Sequence, residues 1–386
     1  MTFERARLLY RLAYAHDGIS SYDELFLNSF KEKYEVYVFT FHPSPNYVPK
    51  GVKIVKMKDF IPRTNIHPFE GIRKHLLTPL RTRILKKNLQ KVKPDVLIGC
   101  WASTYGFYSA CSNFHPFILF IWGSDILVFP QKYFPLKPFV VYSIRKADAI
   151  VVDSEVQRQA AINLGCEPTK IVKFPWVNLS GFKRDEMRRR KIRREYGWSD
   201  DDIVVISLRY HKPIYGVEYL INAIPQVISK NGNVKFLILG EGPLTNIFKT
   251  KIKSFIKSGH VRFVGAVPHD KVVDYLSAAD IYVSTSFSDG TSASLLEAMA
   301  CSLAPVVTKI PGNVEWIENG ENGLLVPVAD SKKLAEKILL LSTNHEFRTK
   351  LQINAEITAN KKVNWVRNIE KFLKLLDRII SPSKSK

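Results

Sequence analysis

The sequence predicts an α/β fold built from two doubly wound parallel sheets. Short, nearly continuous apolar runs alternate with helix-length amphipathic runs along the chain, which is typical of parallel strands covered by helices on both faces. These runs form two series, separated by residues 181–202, which hold a dense basic stretch and no strand pattern. At 386 residues the chain is also too long for a single core.

Each series contains six predicted strands: ARLLYRLAYA, EVYVFTF, VKIVKM, DVLIGCWA, FILFIWG and AIVVDS in the first, and IVVISL, VKFLILG, VRFVGAV, IYVSTS, APVVTK and GLLVPV in the second. We place the boundary between Leu179 and Lys183. The first domain then covers residues 1–180 and the second covers 181–360, followed by a C-terminal helix and tail (361–386) that pack back toward the first. Ligand is expected in a cleft where the carboxyl edges of the sheets face each other.

Composition restricts the class of protein. The formal net charge is +21, which favours acidic partners such as nucleic acid, an anionic membrane surface or phosphate-bearing small molecules. The four cysteines are scattered and form no CxxC pair, so neither a zinc site nor a disulfide framework is indicated. We expect neither a signal peptide nor a membrane span, and a cytoplasmic location, either in solution or peripheral at the inner face of the membrane.

The stretch SFSDGTSASLLEAMA, residues 286–300, joins a buried strand to a helix. Two interpretations stand side by side. In one, Ser294 is the N-cap, Glu297 completes a capping box and Asp289 is an ordinary turn residue. In the other, the loop of small residues and the helix N-terminus hold phosphate, while both carboxylates accept hydrogen bonds from sugar hydroxyls.

This stretch resembles the acidic-x7-Glu signature of glycosyltransferase family 4, a family of retaining enzymes with the two-domain GT-B fold. The resemblance implies that Asp289, where most members have Glu, binds the transferred sugar, and that Glu297 binds ribose. It also implies catalytic roles for both acids. The loop residues between them would bind the donor phosphates: Gly290, Thr291, Ser292 and Ala293.

Further motifs follow in the family's order. LRYHKPIYG, residues 208–216, resembles the family's diphosphate-binding loop, which makes Arg209 a catalytic and donor-binding residue. Tyr215 stands where the family has lysine, so either Tyr215 donates a hydrogen bond or Lys212 supplies the charge; Lys212 as a solvated side chain is the alternative. LGEGPL and VRFVGAVPHDK resemble the segments around the nucleobase, which implies donor contacts at Gly242 and Val267.

The first domain is similar to the family in KPDVLIGCWAS and FIWGSDI. Trp122 replaces the family's histidine, and Asp125 aligns with its acidic residue, either as a catalytic group or as a helix or turn cap. AHDGISSYDELF stands in place of the family's glycine-rich loop, and there Gly18 would present its backbone to the diphosphate. The aromatic segment 122–142 is either an acceptor border or core.

Two basic runs have competing interpretations. Residues 72–93 interleave lysine and arginine with leucine and isoleucine, which suits either an anionic membrane surface or a solvated helix covering the sheet. KRDEMRRRKIRR holds eight basic residues without interleaved aromatics, so single-stranded nucleic acid is not supported. We interpret it as a charged linker helix.

Together these features predict a retaining hexosyltransferase that uses a nucleotide-diphosphate sugar and a glycan, lipid-linked or other cell-envelope acceptor. No cofactor, metal or nucleic acid is expected. The sole Asp-x-Asp, Asp200–Asp202, precedes a strand and is discounted as a metal site. The resemblance implies a front-face displacement in which the leaving phosphate helps to deprotonate the acceptor. The alternatives are a non-catalytic nucleotide-sugar binder and a nucleotide-sugar 2-epimerase.

Overall fold

The computed structural model describes residues 10–17, 20–45, 47–58 and 77–381. The chain divides into two compact units. The first comprises Met1–Trp176 with Val366–Lys386, and the second comprises Val177–Trp365. The domain limits predicted at residues 180 and 360 fall close to these divisions and stay predictions.

The first unit is built on a parallel sheet. Within the described residues its strands are β1 (Arg11–Ala15), β2 (Glu35–Thr40), β3 (Lys53–Lys56), β4 (Val96–Cys100), β5 (Phe117–Phe120), β6 (Ala149–Val152) and β7 (Ile171–Lys173). They lie in the order β3-β2-β1-β4-β5-β6-β7. The central strands β4 and β5 are buried at every residue because helices cover both faces, which explains their continuous apolar sequence.

Helices connect these strands. They are α1 (Ser21–Lys31), α2 (Thr78–Val92), α3 (Tyr105–Cys111), α4 (Ser124–Leu127), α5 (Phe129–Lys132), α6 (Lys137–Lys146) and α7 (Glu155–Asn163). α1 begins at a capping box in which Ser20 Oγ accepts from the Tyr22 amide and the Asp23 carboxylate accepts from the Ser20 amide.

The second unit repeats the architecture. Its strands are β8 (Ile203–Leu208), β9 (Val234–Leu239), β10 (Val261–Gly265), β11 (Ile281–Ser284), β12 (Ala304–Thr308) and β13 (Leu324–Val326). The described residues place them in one parallel sheet in the order β10-β9-β8-β11-β12-β13.

The remaining helices follow in chain order: α8 (Glu186–Glu195), α9 (Val217–Lys230), α10 (Thr245–Lys251), α11 (Lys253–Lys257), α12 (His269–Ala278), α13 (Ala293–Ala300), α14 (Pro311–Val314), α15 (Ser331–Thr343), α16 (His345–Lys362) and α17 (Trp365–Ile380). Apolar side chains of α17 belong to the core of the first unit. Phe372 is fully buried there against Phe30 and Phe120, and Tyr34 donates a hydrogen bond to Asp377 at 2.7 Å.

Both sheets contain a point where the strand order reverses. In the first sheet it lies between β1 and β4, and in the second between β8 and β11. The loops at the carboxyl ends of these strands diverge to opposite faces, which leaves room for a ligand. The residues that follow β8 and β11 include Arg209 and Asp289.

Each of the twelve predicted strands has a counterpart in the structure, and the α/β fold class is confirmed. The pattern missed β7, which has only three residues, one of them an exposed lysine. Its sequence therefore lacks the continuous apolar run that marks its neighbours.

The interpretation of residues 183–194 as a charged linker helix is right about the helix and wrong about the linker. α8 (Glu186–Glu195) lies within the second unit, and Arg193 is only 1% exposed. Its Nη2 donates to Asp280 at 2.7 Å, and Arg189 pairs with the same carboxylate at 3.0 Å. These two arginines are buried in an ion-pair network with Asp280, whereas Arg190 and Arg194 are exposed.

Asp202 lies just before β8, at the opposite end of that strand from Arg209. Its carboxylate accepts from the Ser199 amide at 2.8 Å and pairs with Lys235 at 3.3 Å. Asp202 of the Asp-x-Asp therefore has a structural role, away from the switch point of the sheet.

Candidate functional site

Arg209 immediately follows β8, and its guanidinium reaches the loop that follows β11. Nη1 donates to Ser292 Oγ at 2.9 Å and to Ser294 Oγ at 3.3 Å, and Nη2 forms an ion pair with Asp289. The side chain is 9% exposed. The structure therefore brings Arg209 and Asp289 together, although they are 80 residues apart in sequence.

The environment of Arg209 keeps it cationic. Burial lowers its pKa, but the Asp289 carboxylate, with Tyr282 and Tyr215, raises it by more, so that the pKa lies above its ordinary value. The guanidinium carbon lies 4.5 Å from the ring centre of Tyr215, a distance at which the ring face attracts a cation. Burial also raises the pKa of Tyr215, so its phenol stays protonated.

Tyr215 and Lys212 thus have different surroundings. Tyr215 contributes its ring face to Arg209. Lys212 is exposed, with its ammonium 4.9 Å from the ring centre of Tyr210. The structure favours the solvated interpretation of Lys212.

The loop from Asp289 to Ser292 is held against α14. A Cβ on Gly312 would lie 2.3 Å from the carbonyl oxygen of Gly290 and 2.5 Å from that of Asp289. Only glycine lets the two segments approach this closely. Gly290, Thr291 and Ser292 are buried, and Asp289 is partly exposed.

The capping interpretation of this stretch is wrong. α13 begins at Ala293, its N-cap is Ser292, and no side chain caps it. The Ser294 hydroxyl instead shares a hydrogen bond of 2.8 Å with Tyr282. The first amides of α13 have no partner within the helix, and its dipole adds partial positive charge beside Arg209.

Glu297 meets a residue that sequence reasoning did not select. His269 Nε2 donates to Glu297 Oε1 at 2.7 Å. The Glu297 side chain is 6% exposed and that of His269 is 53% exposed, so the histidine stands between the acid and solvent. The His269 ring also packs against Phe182 with ring centres 5.3 Å apart.

Gly242 and Val267 lie on loops after the neighbouring strands β9 and β10. A Cβ on Gly242 would lie 2.6 Å from the His211 carbonyl oxygen, so this turn packs closely on the loop that carries Arg209. Val267 is partly buried just before α12, which begins with His269. Both positions thus lie on loops at the same sheet edge as Arg209.

Asp125 is in the first unit and has its oxygens engaged by the main chain. Oδ2 accepts from the Ala102 amide at 2.7 Å, and Oδ1 accepts from the amides of Trp122 and Gly123 at 3.1 and 2.9 Å. It is 1% exposed, and burial raises its pKa to about 6. These contacts match the turn-cap alternative, since Asp125 lies within α4 and no side chain caps that helix. Gly18 lies outside the described residues.

Sequence reasoning missed His269, Tyr282, Ser294 as an Arg209 partner, and Gly312. His269, Tyr282 and Ser294 carry no local signal, because each acts across the sheet edge, whereas Gly312 follows a proline and forms a recognisable Pro-Gly pair. Among the described residues no group of three His, Cys, Asp or Glu side chains is arranged to hold a metal ion. Nor does any helix in those ranges have the length and apolarity to span a membrane.

Two families match the chain. The family described as "Glycosyl transferases group 1" matches residues 188–358, and "Glycosyl transferase 4-like" matches residues 12–154. Over these two ranges the chain is similar to the group 1 and the 4-like glycosyltransferases. The first match contains Arg209, Asp289 and Glu297, and the second contains Asp125, so the family resemblance is confirmed in both halves.

Curated glycosyltransferase relatives match part of the chain. The N,N'-diacetylbacillosaminyl-diphospho-undecaprenol alpha-1,3-N-acetylgalactosaminyltransferase of Campylobacter jejuni is 30% identical over 63% of this chain and 65% of that protein. The N-acetyl-alpha-D-glucosaminyl L-malate synthase of Bacillus anthracis is 26% identical over 43% of this chain and 42% of that protein. The chain thus spans less than two thirds of the length of these relatives.

Solved structures establish the GT-B fold of this glycosyltransferase-family chain. HepE of Anabaena in complex with UDP has a TM-score of 0.76 at 17% identity, covering 96% of this chain and 100% of that one. Sucrose-phosphate synthase of Thermosynechococcus elongatus has a TM-score of 0.78 at 16% identity, covering 97% and 100%.

Proposed function

We propose that the protein is a retaining, metal-independent glycosyltransferase that uses a nucleotide-diphosphate sugar. One observation carries this proposal: Arg209, Asp289 and the N-terminus of α13 converge where the strand order of the second sheet reverses. This arrangement presents a cation, a carboxylate and helix amides at the edge where such sheets bind ligands.

The leaving diphosphate is stabilised by Arg209 and the amides of α13. Charge that develops on the departing phosphate oxygen is then met by donors already in place, so little reorganisation is needed. Because Arg209 already donates to Ser292 and Ser294, its guanidinium is held at the helix N-terminus before the donor arrives. The phosphate in turn assists deprotonation of the acceptor hydroxyl.

Asp289 and Glu297 bind the two sugars of the donor. A carboxylate accepts from two hydroxyls at once, which suits Asp289 for the transferred hexose and Glu297 for the ribose. Donor binding requires Asp289 to exchange part of its contact with Arg209 for sugar hydroxyls, while phosphate oxygens replace the carboxylate on the guanidinium.

The acceptor that we propose is a glycan or a lipid-linked sugar at the cytoplasmic face of a membrane. The Campylobacter relative's name describes a diphospho-undecaprenol acceptor. α2 supports membrane association, because residues 78–92 contain no acid and expose Arg83, Lys86 and Lys87. The part of the basic run before residue 77 lies outside the described residues.

A non-catalytic nucleotide-sugar binder is the second candidate, and Tyr215 favours it. The family has a lysine at this position, where it binds the donor diphosphate. In this chain the uncharged Tyr215 ring contacts Arg209 instead, so the loop after β8 supplies one cation fewer to the diphosphate. Such a protein would bind the donor and neither transfer nor hydrolyse the sugar.

A thermal-shift screen against UDP-, GDP- and ADP-sugars, followed by donor turnover, tests the proposal. We expect the sugars of one of these nucleotides to raise the Tm of the protein. We also expect the same donor to be consumed when a panel of acceptors is added. Glu297→Ala should lower kcat/KM about 100-fold or more while the fold is kept, since an interaction with the bound donor is lost.

Gln226→Ala, an exposed change on α9, is the matched control and should leave turnover unchanged. Wild-type turnover in folded Glu297→Ala would overturn its assigned role. Donor binding without turnover by the wild type would favour the non-catalytic binder.

A further inference from the structure

Three ring side chains stand side by side at the switch point of the first sheet. His16 follows β1, Trp101 follows β4 and Trp122 follows β5, and these three strands are neighbours in the sheet. Their rings therefore lie at the carboxyl edge where open α/β sheets bind ligands. Trp101 and Trp122 are half-buried, and His16 is buried.

The rings form an ordered two-layer stack. Trp122 lies parallel to His16, with ring centres 4.7 Å apart and planes 5° apart, and parallel to Trp101 at 6.0 Å and 3°. His16 and Trp101 are thus nearly coplanar. The Trp101 Nε1–H donates to His16 Nε2 at 2.9 Å, which joins them edge to edge into one flat layer.

A buried carboxylate fixes each layer. Asp23 is fully buried and accepts from His16 Nδ1 at 2.5 Å and from the Tyr14 hydroxyl at 2.8 Å. The His16 ring is thereby held with its Nε2 toward Trp101. Asp125 binds the amides of Ala102 and Trp122, so it ties together the two loops that carry the indoles.

The backbone of Trp101 is strained to present its side chain. Its φ is +64°, a left-handed conformation that bulky residues rarely adopt. The carbonyl oxygen of Trp101 accepts from the Thr104 and Gly106 amides at 3.0 Å, and a Cβ on Gly106 would lie 2.8 Å from that oxygen. Such strain persists only where the surroundings enforce it, and residues held in this way cluster at active sites and ligand clamps.

We propose that Trp101 and Trp122 form a stacking platform for a pyranose ring, a role that rests on the proposed transferase function. Trp122 also contacts Tyr22 and Trp176 edge to face, with ring centres 5.8 and 5.3 Å away, so the platform is the indole surface that stays partly exposed beside these contacts. Rigid indoles offer flat contact area at a small entropic cost, which suits the apolar face of a hexose. The carboxylate oxygens of Asp23 and Asp125 already accept hydrogen bonds from protein donors. The platform therefore supplies apolar contact area, and these acids do not serve as acceptors for the polar edge of a nucleobase. The pyranose belongs either to the donor or to the acceptor.

The test uses the full chain labelled with 5-fluorotryptophan, with its six tryptophan signals assigned from Trp→Phe variants. The probes are UDP, UDP-glucose, UDP-N-acetylglucosamine and the methyl α-glycosides of glucose and N-acetylgalactosamine. If the pyranose belongs to the donor, the Trp101 and Trp122 signals shift when a UDP-sugar is added but not when UDP is added. If the pyranose belongs to the acceptor, these signals shift when a methyl glycoside is added in the presence of UDP.

Variants give the affinity change. Trp122→Leu should weaken binding of the responding sugar at least tenfold and leave UDP affinity within twofold, whereas Trp122→Phe stays within threefold of the wild type. Phe134→Leu, which removes a ring that is 72% exposed elsewhere in the unit, is the matched control and should change neither.

Unshifted Trp101 and Trp122 signals at saturating sugar would overturn the proposal, whatever the affinities of the Trp122→Leu variant. So would a tenfold loss of UDP affinity in folded Trp122→Leu, which would indicate a nucleobase instead. If the wild type binds no nucleotide sugar, the transferase function fails, but the response to the glycosides still decides this platform.

Discussion

The side chains of His269 and Glu297 meet at 2.7 Å although they are 28 residues apart in sequence. Under the proposed function Glu297 accepts from ribose hydroxyls, and His269 sets the direction in which its carboxylate points. Because His269 donates through Nε2, a glutamine amide can take over that donor, but a phenylalanine cannot.

We therefore expect His269→Phe to weaken binding of the nucleoside diphosphate about fivefold, which corresponds to one lost hydrogen bond. His269→Gln should stay close to the wild type. Calorimetric titration with the ribonucleotide and its 2',3'-dideoxy analogue makes the comparison. An equal loss for both ligands would contradict a role at the ribose.

Asp125 should produce a recognisable pH dependence of stability. Burial raises its pKa to about 6 in the folded state, above the ordinary value of 3.8. Between these two values the folded state binds more protons than the unfolded state, so this group stabilises the fold at low pH, and that contribution is lost as the pH rises through 6. The full difference is on the order of 3 kcal/mol.

Chemical denaturation from pH 4 to 7 measures this effect. The free energy of unfolding of the wild type, relative to Asp125→Asn, should fall across that range. Asp95→Asn, at a more exposed carboxylate near β1, serves as the control. A constant difference between wild type and Asp125→Asn would show that Asp125 does not titrate there.

Among the elements, α13 and α14 are coupled through one glycine. Gly312→Ala places a methyl group about 2 Å from two carbonyl oxygens of the Asp289 loop, so the loop must shift. A displacement of about 1 Å at a substrate-positioning loop can lower the rate 100-fold. We expect that loss in kcat/KM, measured at saturating acceptor.

Gly232→Ala is the matched control, because a Cβ there meets nothing within 4 Å and its φ is not left-handed. It should leave both Tm and kcat/KM unchanged. Unchanged activity in Gly312→Ala would show that the loop tolerates the shift and does not position the donor.

The elements also show how far a sequence can be interpreted. Parallel strands are predictable because burial on both faces demands continuous apolar residues, and FILF and AIVV satisfy that demand. The start of α13 is less predictable, since Ser292 and Ser294 both suit an N-cap. The Ser294 hydroxyl is bound by Tyr282, and no local sequence pattern indicates that contact.

The candidate site, too, was predictable from the sequence only in part. Arg209, Asp289 and Glu297 were selected through a family motif, whereas the His269 contact and the burial of Asp125 depend on chain segments distant in sequence. For α8 the charge pattern itself was misleading. A dense run of arginines suggests solvent, but Asp280 draws Arg189 and Arg193 into the interior.

For the whole molecule, the net charge of +21 bears on association with surfaces. If α2 faces an anionic membrane, then Lys86→Glu with Lys87→Glu should weaken binding to phosphatidylserine vesicles at least about tenfold, since each basic residue near the surface contributes about 1 kcal/mol. Vesicle sedimentation at 0.05 M and 0.5 M salt measures this, and the higher salt should weaken binding of the wild type.

The control carries the same change in charge elsewhere. Lys251→Glu with Lys332→Glu alters two exposed lysines of the second unit and should keep most of the vesicle binding. Equal losses in the two double variants would indicate a general charge effect, with no docking face at α2.

The return of α17 to the first unit has a practical consequence. Residues 177–365 are, in connectivity, an insertion into a unit whose last helix is encoded after them. A fragment that stops at residue 176 would leave the rings of Phe30, Phe120 and Phe174 without Phe372, and it should aggregate. Expressing the first unit by itself therefore calls for removing residues 177–365 and rejoining the ends with a short linker, because a single cut yields one incomplete piece.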